Sequence, residues 1–142
     1  MKNYKSFLLI LIASCSLLAC QREVGLKPVE STKTLNGTWK ITKALRNGTD
    51  LTGRFDFSGF KIVFQDGHYS LDSLVPFPVT TDGSFQLDDP QYPFRIYFTE
   101  EGNEVQKLDM EFPVNQGVRN MIISFSPGCT SNTYQYTLQK VQ

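Results

Sequence analysis

The chain has 142 residues, 14 basic and 14 acidic side chains, one histidine and three cysteines. The balanced charge contains no block of like sign, so neither composition nor patterning favours nucleic acid as a partner. Hydrophobic residues make up 40% of the chain, which suffices for one domain with its own buried core.

The first predicted element is an apolar segment at the N-terminus. Lys2 and Lys5 precede the almost unbroken apolar run 6–18, which has the length of a signal-peptide core and is too short to span a bilayer. The run ends in Leu-Leu-Ala-Cys at 17–20 and turns polar at Gln21. This pattern resembles the lipobox of bacterial lipoproteins. The resemblance implies that residues 1–19 are removed and that Cys20 carries the lipid.

Lipidation would attach the protein to the cell envelope through Cys20, with Cys15 lost in the discarded peptide. The alternative is an ordinary signal peptide or N-terminal anchor that happens to contain cysteine. Gln21 is not the Asp that retains such proteins at the inner membrane, so the resemblance favours the outer membrane. Periplasmic and surface-facing orientations both stay open. The processed chain of 123 residues would carry 12 basic and 14 acidic side chains, a net charge of about −2.

Residues 20–34 form the predicted tether, and the domain proper is expected at 35–142. The tether is polar, contains Gly25 and Pro28, and shows no hydrophobic period. Eight alternating segments follow, rich in aromatic and β-branched residues, with the period of two that is typical of strands. They are Trp39–Ile41, Phe60–Phe64, Tyr69–Leu71, Phe85–Leu87, Phe94–Phe98, Leu108–Phe112, Met121–Phe125 and Tyr134–Leu138.

The links between these segments carry turn residues. Asp66-Gly67 and Asp82-Gly83 are pairs that tight hairpins prefer, and Gly102-Asn103 lies between two further strands. Short links make sequence neighbours antiparallel neighbours. The prediction is therefore an all-β fold, an eight-stranded antiparallel up-and-down β-barrel, which leaves no open sheet edge.

The stretch Gly37-Thr38-Trp39 heads the first strand and resembles the Gly-x-Trp of lipocalins and related calycins. More widely, residues 35–140 resemble lipocalin-like lipoproteins of Bacteroidota, a family of domains of unknown function. The resemblance implies that Gly37 lets the chain turn in and that Trp39 plugs the closed end. The chain departs from lipocalins in lacking a Thr-Asp-Tyr motif, a C-terminal helix and an arginine at the end of the last strand. We expect Lys140 to cover the indole instead.

An up-and-down barrel places alternate links at opposite ends. If Trp39 closes one end, the links at that end are 65–68, 88–93 and 113–118. The mouth is then lined by the links 46–58, 73–83, 99–104 and 126–132, the last of which contains Cys129. The longest link, 46–58, falls where lipocalins carry a lid loop.

The sequence does not decide whether the interior of the predicted barrel is filled. A barrel of eight strands is either filled by side chains or holds one small ligand. If the aromatic face points inward, it fills much of the lumen with Phe60, Ile62, Phe94, Ile96, Phe98, Met110, Tyr134 and Tyr136. The alternative is a small apolar pocket near the mouth, whose candidate ligand-binding residues are Phe60, Phe98, Tyr134 and Tyr136.

Signals of enzymatic chemistry are few, so no enzyme and no cofactor is expected. His68 beside a turn is expected to be exposed, and no cluster of cysteine and histidine predicts a metal site. Asp72-Ser73-Leu74 resembles the O-glycosylation acceptor of Bacteroides-type bacteria, with Ser73 as the acceptor. Cys129 is the only cysteine after residue 20. Its free thiol is either buried, which we expect, or available to a partner.

Two functions remain from the sequence. The first is a lipid-anchored, non-enzymatic binding module for a small hydrophobic or amphipathic molecule or a glycan. The second is a filled barrel that serves as an accessory or interaction lipoprotein through its loops, with an outer-membrane protein as partner. The volume inside the barrel discriminates between them.

Overall fold

A computed structural model describes residues 30–73 and 75–141 of the protein. The predicted signal peptide, Cys15, Cys20 and most of the tether lie outside the described residues. Within those two ranges every regular element is a β-strand. No helix that could cross a membrane occurs in this part of the chain.

Ten strands follow one another along the chain, and two of them contain only two residues. They are β1 (Gly37–Arg46), β2 (Thr49–Asp50), β3 (Lys61–Gln65), β4 (His68–Asp72), β5 (Gly83–Leu87), β6 (Arg95–Glu100), β7 (Gln106–Glu111), β8 (Val114–Asn115), β9 (Val118–Phe125) and β10 (Tyr134–Lys140).

The eight longer strands form a closed barrel. Each pairs antiparallel with its neighbour, in the order β1, β3, β4, β5, β6, β7, β9, β10, and β10 returns to pair with β1 along its length. The short strands β2 and β8 extend the hairpins that begin at β1 and end at β9. The predicted all-β, eight-stranded antiparallel up-and-down β-barrel is thus confirmed.

The core lies inside the barrel, where alternate residues of each strand meet. In β6 the inward residues are Ile96, Phe98 and Glu100, and in β10 they include Tyr136 and Leu138. Phe94 was expected among the inward aromatics, but its side chain is 69% exposed. Phe94 precedes β6. There the Asp88 carboxylate accepts hydrogen bonds from the backbone amides of Phe94 and Arg95. These bonds fix a bend that leaves the Phe94 ring outside the barrel.

The predicted turns differ in outcome. Asp66-Gly67 joins β3 to β4 as expected, with positive φ at both residues. Asp82-Gly83 is not a hairpin turn, because ten residues separate β4 from β5 and Gly83 is itself the first residue of β5. Gly83 is required for another reason: a Cβ there would lie 2.2 Å from the backbone oxygen of Thr99 on β6.

Candidate functional site

The closed end is built around Trp39. The indole is buried, its Nε1 donates a hydrogen bond of 2.7 Å to the Leu35 carbonyl, and its ring lies 5.9 Å from that of Phe112. The partner of the indole is therefore local in sequence, four residues before it. Trp39 is thus buried near the start of β1, beside the Phe112 ring.

Gly37 begins β1 with a backbone conformation that glycine adopts far more readily than other residues. It has a φ of 123°, and a Cβ at this position would lie 2.3 Å from Cε of Lys140. Lys140 thus packs over Gly37 and pairs across the strands with Trp39. A second cation, which the sequence analysis missed, lies over the neighbouring ring: the Arg119 guanidinium is 5.1 Å from the Phe112 ring centre and donates to the Phe112 carbonyl.

The segment before β1 ties the links of the closed end together. The Asn36 side chain donates to the Asp66 carboxylate at 3.0 Å, and the Lys33 amide donates to the Pro90 carbonyl. These contacts, together with that of Trp39 with Phe112 beside the third link, place 65–68, 88–93 and 113–118 at one end, as predicted.

The mouth is covered first by the long link 46–58. It turns at Asn47-Gly48, returns along β1 as β2, and brings Phe57 over the barrel. The Phe57 ring lies 5.7 Å from the Tyr136 ring in an edge contact. The link therefore lies in the lid position, with one aromatic side chain turned into the core.

The link between β4 and β5 fills the mouth more deeply. Phe77 and Val79 from this link are buried, and the Tyr136 hydroxyl donates to the Pro76 carbonyl at 2.7 Å. The Phe77 ring lies 5.1 Å from that of Phe60 and 6.0 Å from that of Phe98. Phe77 thus occupies the centre of the aromatic cluster at the mouth.

The predicted ligand-binding residues belong to this same cluster. Phe60, Phe98 and Tyr136 are almost completely buried and surround Phe77. Burial also raises the pKa of the Tyr136 hydroxyl, with Tyr134 adding to the effect. Tyr134 is half-buried and stacks on Phe125 at 5.5 Å, nearer the surface. The structure brings the four residues together, and their rings pack against protein.

Glu100 holds the link that carries Phe77. Its carboxylate is 8% exposed and accepts the amides of Thr80 and Thr81 at 2.6 and 2.7 Å. The hydrogen bond from the Thr80 amide, followed by those from Thr81 and Asn103, lowers the pKa of Glu100 to about 2 against the opposing effect of burial. The sequence carried a signal that was missed, because Glu100 is in phase with the inward Ile96 and Phe98.

A cleft opens in the barrel wall beside the mouth. β7 pairs with β9 at residues 109–111, whereas residues 106–108 pair with β6 alone. The two strands separate there and leave a cleft of about 570 Å³. Its lining is mainly polar, with two aromatic edges, and includes Phe77, Gln106, Lys107, Asp109, Ser124, Phe125 and Ser126.

The remaining predicted positions lie on the surface. His68 is exposed beside its turn, as expected, and Ser73 is exposed with a positive φ. The expectation of a buried Cys129 was wrong: the residue is exposed in the link 126–133, where its sulfur lies 3.0 Å from the Ser131 hydroxyl. That hydrogen bond lowers the pKa of the thiol. No group of three metal-ligating side chains occurs within residues 30–73 and 75–141.

Comparison with known proteins gives one match. The model of the family described as "Domain of unknown function (DUF5004)" matches residues 8–139, and the chain therefore belongs to this family. No curated protein and no solved structure matches the chain.

Proposed function

We propose that this DUF5004 protein is a lipid-anchored, non-enzymatic binding module of the bacterial cell envelope. In this proposal it is a lipocalin-like outer-membrane lipoprotein of the Bacteroidota type, facing the periplasm or the surface. It holds a glycan or small amphipathic molecule in the cleft between β7 and β9, outside the barrel lumen.

The packing of the mouth is the observation that supports an external site. Phe77 lies among Phe60, Phe98 and Tyr136, so a ligand in the lumen would have to displace its ring, which belongs to the link that Glu100 binds at Thr80. Displacing a buried aromatic ring costs several kcal/mol, about 3–5 when such a ring is removed by mutation. An open cleft carries no such cost.

The lining of the cleft supports a polar or amphipathic ligand. The amide of Gln106, the ammonium of Lys107 and the hydroxyl of Ser126 provide donors and acceptors, and Phe77 and Phe125 form an apolar floor. Its volume of about 570 Å³ lies in the range of small-ligand sites.

The anchor rests on the sequence at 17–20, since Cys20 lies outside the described residues. Two or three acyl chains would hold the protein firmly, because each buried methylene contributes about 0.8 kcal/mol. Metabolic labelling of the expressed protein with an alkyne-bearing palmitate tests this part. Label in the protein that disappears in Cys20→Ser supports the anchor, and an unlabelled protein contradicts it.

A thermal-shift screen tests the binding site. The protein is screened against neutral oligosaccharides, bile acids and lipids, since a ligand present at 100 times its Kd stabilises the folded state by about 2.7 kcal/mol. The shift should be lost in Gln106→Ala and kept in the control Gln86→Ala, an exposed glutamine of β5. A shift that both variants keep would place the ligand elsewhere.

Phe55 favours the second candidate function, an interaction protein that acts through its loops. Its ring is 53% exposed on the link 46–58, beside the covered mouth. Exposed aromatic side chains are enriched among residues that carry protein–protein binding energy. A partner captured from outer membranes by the wild type should be lost in Phe55→Ala and retained in Phe94→Ala, which removes an exposed ring at the closed end. Capture that survives both changes contradicts this candidate.

A further inference from the structure

A second pocket lies at the closed end, on the side of the barrel opposite to the mouth. It has a volume of about 400 Å³, and its lining is mainly apolar. Trp39 and Phe112 form its floor, and Val118 and Val141 contribute further apolar surface. The pocket is distinct from the cleft between β7 and β9. Binding of a ligand in this pocket is therefore independent of the ligand proposed for that cleft.

Two cations stand at this apolar pocket. Arg119 and Lys140 both line it, one from β9 and the other from β10. Among residues 30–73 and 75–141, no carboxylate lies within 4.0 Å of either charged group. Arg119 uses one of its donors on the Phe112 carbonyl, which leaves further N–H groups of the guanidinium available.

Two acidic side chains of the closed end are engaged elsewhere. Asp66 accepts a hydrogen bond from Asn36, and Asp88 accepts the backbone amides of Phe94 and Arg95. Neither residue lines the pocket. The described lining of the pocket therefore holds two cationic side chains and no acidic one.

We infer that this pocket binds an amphiphile with an anionic head group, such as a carboxylate or phosphate on an alkyl chain. The head group would pair with Arg119 and Lys140, and the first part of the chain would lie on Trp39 and Phe112. Charge complementarity selects the anion, because a guanidinium offers paired N–H donors to a carboxylate or phosphate. The apolar floor selects the alkyl chain.

The predicted lipid anchor bears on where such an amphiphile comes from. Thr34 lines the pocket, and the described chain begins at Glu30. The predicted lipidated Cys20 is only ten residues earlier, which an extended chain spans in at most about 36 Å. The amphiphile is therefore either a free molecule or an anionic lipid of the membrane that holds the tether, and both present the same chemistry.

Trp39 provides a direct probe, since it is the only tryptophan of the chain and forms the pocket floor. The full-length protein is reconstituted in phosphatidylcholine vesicles and titrated with dodecanoate that carries bromine on its chain, a quencher of indole fluorescence at contact. A brominated dodecyl maltoside, with a neutral head group, is the matched probe. We expect quenching by the carboxylate to saturate, with a Kd at least tenfold lower than for the maltoside.

Variants test the role of charge. Arg119→Gln and Lys140→Gln should each raise the Kd of the carboxylate about tenfold, the scale of a charge-assisted hydrogen bond. Arg119→Lys keeps the charge and should keep most of the affinity. Lys40→Gln, at an exposed lysine next to Trp39 in β1, should have no effect. Equal binding of both probes, or an affinity indifferent to Arg119 and Lys140, would overturn the inference.

A second set of vesicles separates the two sources. Phosphatidylglycerol with brominated chains replaces part of the phosphatidylcholine, and brominated phosphatidylcholine is the control. Quenching by the anionic lipid that requires Arg119 identifies a membrane lipid as the ligand, whereas quenching by dodecanoate alone identifies a free amphiphile. Absence of quenching in every arm overturns the proposal.

Discussion

Both ends of this barrel are closed by an aromatic side chain, yet the two are held in different ways. At the closed end Trp39 is part of β1, and its hydrogen-bond partner Leu35 is four residues away. At the mouth Phe77 belongs to a link without regular structure, and that link is fastened by the Glu100 carboxylate on β6. One closure is therefore built into the sheet, and the other depends on an ionised group.

This difference determines how readily each end of the barrel can open. A closure inside a paired strand can open only when the sheet unfolds, whereas a link can move when its few hydrogen bonds break. We therefore expect the mouth to open locally more readily than the closed end. The mouth is also the end that carries the cleft of about 570 Å³ and the exposed Phe55.

The largest effect is expected from Trp39→Ala. Removal of a buried indole leaves a cavity at the closed end and an unpaired Leu35 carbonyl, at a cost of about 3–5 kcal/mol in the free energy of unfolding. Urea denaturation followed by circular dichroism measures it. Phe94→Ala is the control, because its ring is 69% exposed and should contribute less than about 0.5 kcal/mol.

Phe77→Ala should cost less than Trp39→Ala, about 3 kcal/mol, at the lower end of the range for a buried ring, because the link can relax into part of the space that the ring leaves. The same urea experiment measures this difference. The variant should also gain a cavity among Phe60, Phe98 and Tyr136 that takes up small apolar molecules. Equal losses in the free energy of unfolding would contradict the distinction between Trp39, which closes one end from within a strand, and Phe77, which closes the other from a link.

Glu100→Gln should cost about 2 kcal/mol at neutral pH and should also change the response to acid. Because folding lowers the pKa of Glu100 from 4.5 to about 2, its contribution is fully present above pH 4.5 and is lost as the pH falls towards 2. Unfolding free energies of the wild type should therefore fall over this window more steeply than those of the variant. Parallel pH profiles would show that the carboxylate does not fasten the mouth.

The smallest effect is expected at Lys61 and Asp72, which pair across β3 and β4 at 3.5 Å. Both side chains are well exposed, and such pairs contribute between 0 and about 1 kcal/mol. Lys61→Ala should lower the free energy of unfolding by less than about 0.5 kcal/mol at low salt, and less still at high salt. A larger loss would show that this pair on the outer face of the barrel contributes more to stability than exposed ion pairs usually do.

The same contrast explains what the sequence could predict. The closed end follows from local signals: a period of two in the strands, Asp66-Gly67 in a hairpin, and Trp39 at the head of β1. The mouth does not, because Pro76 and Pro78 interrupt the alternation of Val75, Phe77 and Val79, so that the stretch is typical of an exposed link. Only tertiary contacts with Phe60, Phe98 and Glu100 bury it.

The cleft and the closed-end pocket could not be predicted from the sequence, because both depend on how the strands pair. The separation of β7 from β9 depends on where the pairing between strands stops, and no residue of 106–108 signals that point. Arg119 and Lys140 are 21 positions apart and meet only because β9 and β10 are neighbours. The role of Glu100 could have been predicted. Its carboxylate is in phase with Ile96 and Phe98 on the inward face, and a buried carboxylate requires hydrogen-bond partners.

The most direct test of the filled barrel is a crystal structure of the protein under xenon pressure, compared with that of Phe77→Ala. Xenon enters apolar cavities that hold no side chain. The packing around Phe77 predicts that the wild type binds no xenon on the barrel axis and that the variant binds it among Phe60, Phe98 and Tyr136. Xenon on the axis of the wild type would contradict the filled lumen and return the ligand site to the interior.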